Sequence, residues 1–148
     1  MLTASIDLRQ TPRDTEEAVR VRMRRQEVLY DPTKQIEILV AEAALRHPIC
    51  SPTAMIAQID RLQGLLGIEH LRLGVIPLNV RLAAVPMHGY VIIDDLVLVE
   101  TTHTELSAAE PADVALCRRL TAALWTAAVE GDSARRILLQ VSRDLADV

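Results

Sequence analysis

Apolar positions along this chain recur with two periods, one near 3.6 residues and one of two, and the switches between them mark the predicted elements. Asp14 with Glu17 forms a capping box, and the helix it opens runs to about Tyr30, where Asp31-Pro32 stops it. Ala18, Val21, Arg25 and Val28 share one face of that helix. Gln35–Val40 reads as a strand that passes into a short helical stretch, Ala41–Arg46, ended by Pro48. Ser51-Pro52 opens the next helix with a capping hydroxyl and a proline in the first turn; Met55, Ile59, Leu62 and Leu66 form its stripe, and Gly64 and Gly67 loosen its end. His70–Pro77 alternates as a strand, with Leu71, Leu73 and Val75 on one face.

After a loop around Asn79–Pro86, Tyr90–Ile93 and Leu96–Glu100 are joined by Asp94-Asp95 as a hairpin. Residues 103–110 read as a polar connection. Glu110-Pro111 then opens a helix to about Val129 with Val114, Cys117, Leu120 and Leu124 inward. Gly131 closes it, and Asp132 or Ser133 caps a last helix that buries Ile137, Leu138, Val141 and Leu145.

The order α-β-α-β-β-β-α-α implies an α/β (α+β) fold in which one mixed sheet of about four strands is covered by helices. Residues 1–13 carry no sustained period and read as a flexible lead-in; 14–148 reads as one domain, without repeat or internal boundary.

Composition narrows the chemistry. The 148 residues are 50% hydrophobic and 24% charged, an ordinary globular balance. With no Phe, two Tyr and one Trp, the core must be aliphatic, and stacking on bases or sugars has little to work with. A net charge of −4 argues against a primary nucleic-acid binder. Cys50 and Cys117 lie far apart without a CxxC, and His47, His70 and His103 show no ligand spacing, so neither a metal nor a cofactor is expected. No apolar run approaches the ~20 residues of a membrane span, and the expected compartment is the cytoplasm.

Three groups of residues stand out. Arg20, Arg22, Arg24 and Arg25 form the densest basic cluster; it reads either as an oxyanion contact or as a solvated face in which Glu16 pairs with Arg20. Arg25 points to the apolar stripe and needs a partner, Glu42 or Glu37. Glu42 and Arg46 sit one helical turn apart after a strand, where open α/β sheets gather ligands; they read equally as a ligand grip and as a structural ion pair. His88 and Asp95 fit the His and Asp spacing of the phospholipase D superfamily, but Tyr90 stands where its lysine belongs, and Glu100-Thr101-Thr102 replaces its glycine and small hydroxyl. Phosphodiester chemistry needs that lysine on the phosphate oxygens, so an active phosphodiesterase is a distant alternative and a degenerate, silent half of that fold a better one, beside the plain reading of a surface histidine and a hairpin turn of two aspartates. No nucleophile meets a base, and no enzyme is expected.

Arg22–Leu29, Glu42–Arg46, Met55-x-x-Gln58 with Leu62, Val75-Ile76-Pro77, His88–Asp94 and Val97–Thr101 follow one another in an order that resembles the C-terminal domain of unknown function of actinobacterial helix-turn-helix transcriptional regulators of the xenobiotic-response-element type. The resemblance spans about Arg22 to Asp144, with Tyr90 a mild departure at the family's usual aromatic. It implies a regulatory domain, effector-sensing or dimerising, that controls a DNA-binding neighbour. DNA would be reached only through a helix-turn-helix domain that this chain lacks, so an excised domain is expected. A homodimer, a small-molecule effector or a small partner protein are the partners it implies. The candidate ligand-binding residues are Arg25, Glu42, Arg46, His88 and Glu100. A docking module would instead present an apolar patch on the last two helices, around Leu124 and Trp125.

Overall fold

Two separate hydrogen-bonded ladders, one parallel and one antiparallel, organise the protein. The structure, a computed structural model, describes Arg20 and residues 26–101 and 103–147. These pack as two compact units, the first holding the described residues up to Leu78 together with 128–147, the second Asn79–Ala127.

In the first unit, β1 (Ile36–Ala41) and β2 (Leu71–Ile76) pair in parallel, from Ile36↔Leu71 to Ala41↔Ile76. Parallel neighbours require a crossover, which α1 (Glu42–Arg46) and α2 (Pro52–Leu65) supply. The Ser51 hydroxyl accepts the Ala54 N–H at 3.3 Å, and Pro52 occupies the first turn, as the sequence predicts. The chain leaves α2 through Gly67, whose φ of 95° suits a residue without Cβ. The expected alternation of β2 holds on one side: Leu71, Leu73 and Val75 are buried while Arg72 is exposed, yet Gly74 and Ile76 are buried as well. The amphipathic α4 (Gly131–Ala146) lays Ala134, Leu138, Val141 and Leu145 onto Leu45, Met55, Ile59 and Val75 to close the main core. Leu65, Leu71 and Leu73 form a second cluster, with Ile36, Ile38 and Leu29 packed against it.

In the second unit, β3 (Tyr90–Ile93), β4 (Leu96–Glu100) and β5 (Glu105–Ala108) form an antiparallel meander that α3 (Pro111–Trp125) packs against at β4. Asp94 takes φ 48° in the two-residue turn, a conformation that Asp tolerates better than most residues. Val97, Val114 and Leu124 are its buried residues among those described. Thr121 donates its hydroxyl hydrogen to the Cys117 carbonyl at 2.9 Å, which leaves its oxygen to accept from the Tyr90 hydroxyl at 2.8 Å.

The α/β (α+β) class is the one the sequence predicts, but among the described residues the single mixed sheet is corrected to two sheets, of two and three strands. Residues 105–108, read as a polar connection, form β5 because β4 offers a free edge, with Leu98↔Ser107 and Glu100↔Glu105 in register. The helix predicted to reach Val129 ends at Trp125, and Val129 instead exchanges two 2.9 Å backbone bonds with Val75. Gly131 opens α4 rather than closing α3, and neither Asp132 nor Ser133 is its cap; both lie within the helix. Of the first predicted helix, Gln26–Tyr30 is a 3-10 turn; its capping box, the lead-in and the arginine cluster, apart from Arg20, lie outside the described residues.

Candidate functional site

The carboxyl end of β1 feeds directly into α1, so Glu42 stands at the first position of that helix and Arg46 one turn on. The side chains meet: Arg46 Nε donates to Glu42 Oε1 at 2.7 Å. The second Glu42 oxygen accepts the backbone N–H of Leu78 at 3.1 Å. Arg46 also donates from Nη1 to Asp144 Oδ2 at 2.6 Å, and Gln140 Nε2 donates to the other Asp144 oxygen at 2.7 Å. These bonds hold the Asp144 carboxyl below its ordinary pKa, with Arg46 the main cause and Gln140 the second. The Arg46 guanidinium is held above its own ordinary value by Asp144 first and Glu42 next. Glu42 is the one buried charged residue among those described, and every bond it makes goes to this network. The network ties α1, the chain after β2 and α4 together; the sequence offered the Glu42–Arg46 spacing but no sign of Asp144 or of the Leu78 amide.

A cleft of about 370 Å³ opens at the amino ends of the same two strands. Gln35–Glu37 and His70–Leu73 line it from the strands, Leu66, Gly67 and Glu69 from the exit of α2, and Glu130 and Gly131 from the entry to α4. Its charged feature is Arg72, which grips Glu130 with two parallel bonds of 3.0 and 2.7 Å and lies 3.7 Å from Glu37. Glu37 and Arg72 are direct cross-strand neighbours, so the ladder register itself brings them together. Arg72 lowers the Glu130 carboxyl below its usual range, and Glu130 is the leading cause of the raised Arg72 pKa. The His70 ring nitrogen lies 3.0 Å from the Leu29 carbonyl, which fixes the imidazole.

The expected grouping of Arg25, Glu42 and Arg46 is thus met in two of its members. Arg25 lies outside the described residues, and Glu42 and Arg46 do not line the cleft. His88 is exposed ahead of β3, and Glu100 ends β4; both stand at the same end of the antiparallel sheet, since Tyr90 pairs with Val99. Asp95 sits in the turn at the other end, separated from His88 by the whole of β3, a span of roughly 3.3 Å per residue. Its carboxylate lies 3.3 Å from Arg118, which also donates to the Asp94 carbonyl at 2.7 Å. The phospholipase D-like pair therefore does not converge. Leu124 is buried, which removes it from any presented face, and Trp125 is partly buried. Cys50 is exposed and Cys117 partly buried, both as free thiols.

Among the described residues no group of three or more His, Cys, Asp or Glu has the geometry to hold a metal ion, and no helix is long and apolar enough to cross a membrane. No curated protein and no solved structure matches the chain. A family model described as a domain of unknown function, DUF5753, matches residues 2–140, a span that runs through both units, and the chain belongs to that family.

Proposed function

We propose that this chain is the regulatory domain of an actinobacterial helix-turn-helix transcriptional regulator of the xenobiotic-response-element type, an effector-sensing or dimerising module that works in the cytoplasm on a DNA-binding neighbour. The observation that carries the sensing reading is the 370 Å³ cleft, with Glu37, Arg72 and Glu130 converging on it. Its volume falls within the roughly 300–1,000 Å³ of small-ligand sites. The net charge of −4 supports a division of labour in which another domain holds the DNA.

The test is a fusion behind a helix-turn-helix domain that grips its operator only as a pair. The chain is expected to restore operator occupancy, and a low-molecular-weight extract of the host, short peptides included, is expected to change it. Occupancy equal to that of the unfused domain, and indifferent to the extract, would overturn the reading.

A docking module for a partner protein is the second reading. It is favoured by Val91 and Ile93, both more than half exposed on one face of the edge strand β3. Val91→Glu with Ile93→Glu separates the two: a sensor keeps its extract response, whereas a docking module loses its partner.

A further inference from the structure

The cleft is the place where a third strand of the parallel sheet begins and breaks off. The Ile36 N–H donates to the His70 carbonyl at 3.0 Å. With the register Ile36↔Leu71, this sets the parity of the whole ladder: residues 70, 72, 74 and 76 bond β1, while Leu71, Leu73 and Val75 turn their backbone groups to the other side. On that side Val75 is satisfied by Val129, in antiparallel fashion, at 2.9 Å in both directions. The next rung would join Leu73 to Gly131. It is not formed, because at Gly131 the chain takes φ 54° and turns into α4. The N–H and C=O of Leu73 thus face away from β1 and bond no other described residue, and Leu73 lines the cleft.

We infer that the cleft accepts an extended segment of polypeptide, laid antiparallel to β2, whose backbone pairs with the N–H and C=O of Leu73 and continues the ladder begun by Val129. An unpaired strand edge is the recognised template for this mode of binding, in which the main chain supplies affinity and alternate side chains supply selectivity. The selectivity follows from the lining: among the described residues Arg72 is engaged with Glu130 and Glu37, and the exposed Glu69 adds a further carboxylate to the cleft. The segment it fits therefore carries basic side chains at alternate positions. This inference rests on the cleft being the effector site and names the chemistry of the effector.

The probe is a capped pentapeptide of alternating lysine and valine, added to the whole chain while the Leu73 amide is followed by NMR and hydrogen exchange. Saturating peptide is expected to shift the Leu73 amide and slow its exchange. A peptide N-methylated at the pairing residue is expected to bind about tenfold more weakly, the loss that a missing backbone hydrogen bond brings. Glu69→Lys, at an exposed position, is expected to weaken binding of the unmodified peptide without altering the fold. The inference is overturned by a Leu73 amide that ignores the peptide, or by equal affinity for the N-methylated form. Protection of Leu73 that grows with protein concentration and needs no peptide overturns it too, and assigns the edge to a second copy of the chain. An extract-responsive fusion whose Leu73 amide ignores the peptide separates failure of this inference from failure of the regulatory reading.

Discussion

The two units solve the same problem, a core without phenylalanine, in different ways. The parallel unit collects its aliphatic residues from distant stretches of chain, and Ile59, Val75, Ala134, Leu138 and Val141 are wholly enclosed. The antiparallel unit is built from neighbours in sequence, and among its described residues only Val97, Val114 and Leu124 are buried. Val85, Met87, Val91, Ile93, Leu106 and Leu116, all in that second unit, remain exposed. Burial of apolar surface is the dominant stabilising term, so the first unit should be the stable part of the molecule. The second relies on ladder bonds and on the Tyr90–Thr121 contact, as regions that open at low free energy do.

The ranking can be broken most directly at the cores. Leu138→Ala is expected to cost about 2–5 kcal/mol, since it empties a fully enclosed site. Val97→Ala should cost less. Denaturant titration followed by amide exchange in α4 and by Trp125 fluorescence reads the two units separately, because the single tryptophan lies in the second. A costlier Val97→Ala would reverse the ranking.

Glu42→Ala tests the polar side of the first unit. Asp144 remains as a partner for Arg46, so the loss is that of an unsatisfied Leu78 N–H and one charge-assisted bond, about 1–3 kcal/mol. An unchanged denaturation midpoint would show the network to be energetically silent. In the second unit, Tyr90→Phe should cost about 0.5–1.5 kcal/mol and speed amide exchange in β3–β5 while leaving α4 unaffected. Uniform acceleration through both units would remove the distinction between them.

Acid sharpens the comparison further. The Asp144 and Glu130 carboxyls, both in the first unit, are held low by Arg46 and Arg72 respectively. A carboxylate with a depressed folded pKa stabilises the fold above its unfolded value, near 4, and that contribution is lost as pH falls through the folded one. Acid should therefore loosen the first unit below about pH 4, and Asp144→Asn should flatten that limb. A limb unchanged in Asp144→Asn would remove Asp144 from it. The smallest effect is a gain: Asp94→Gly relieves the positive φ of the β3–β4 turn and should stabilise the second unit by up to about 1 kcal/mol, read from Trp125 unfolding.

Legibility in the sequence followed the range of the interaction. Ser51-Pro52 announced α2 and Asp94-Asp95 announced the hairpin, because caps and turns are decided within a few residues. Glu105–Ala108 hid its strand, having no β-branched residue and becoming extended only because β4 presents an edge. Val129 was assigned to a helix for the complementary reason, since its partner Val75 lies far back in the chain. The Glu42–Arg46 half of the network was legible as an i,i+4 spacing. Its other half is Asp144, 98 residues beyond Arg46, together with a backbone amide that no side-chain pattern encodes. The cleft was invisible on the same grounds, being the gap left when a ladder stops after one rung.

The discontinuity of the first unit also sets a timetable. A ribosome releases β1, α1, α2 and β2 well before α4, yet α4 carries the residues that cover Ile59 and Val75. At roughly 5–20 residues per second, the whole of 79–127 must be translated while that apolar face waits unsheltered for several seconds. The second unit is contiguous and can fold as it emerges. Synthesis therefore completes the weaker piece first and the stronger one last, and chain truncated before Gly131 is the form that chaperones would meet.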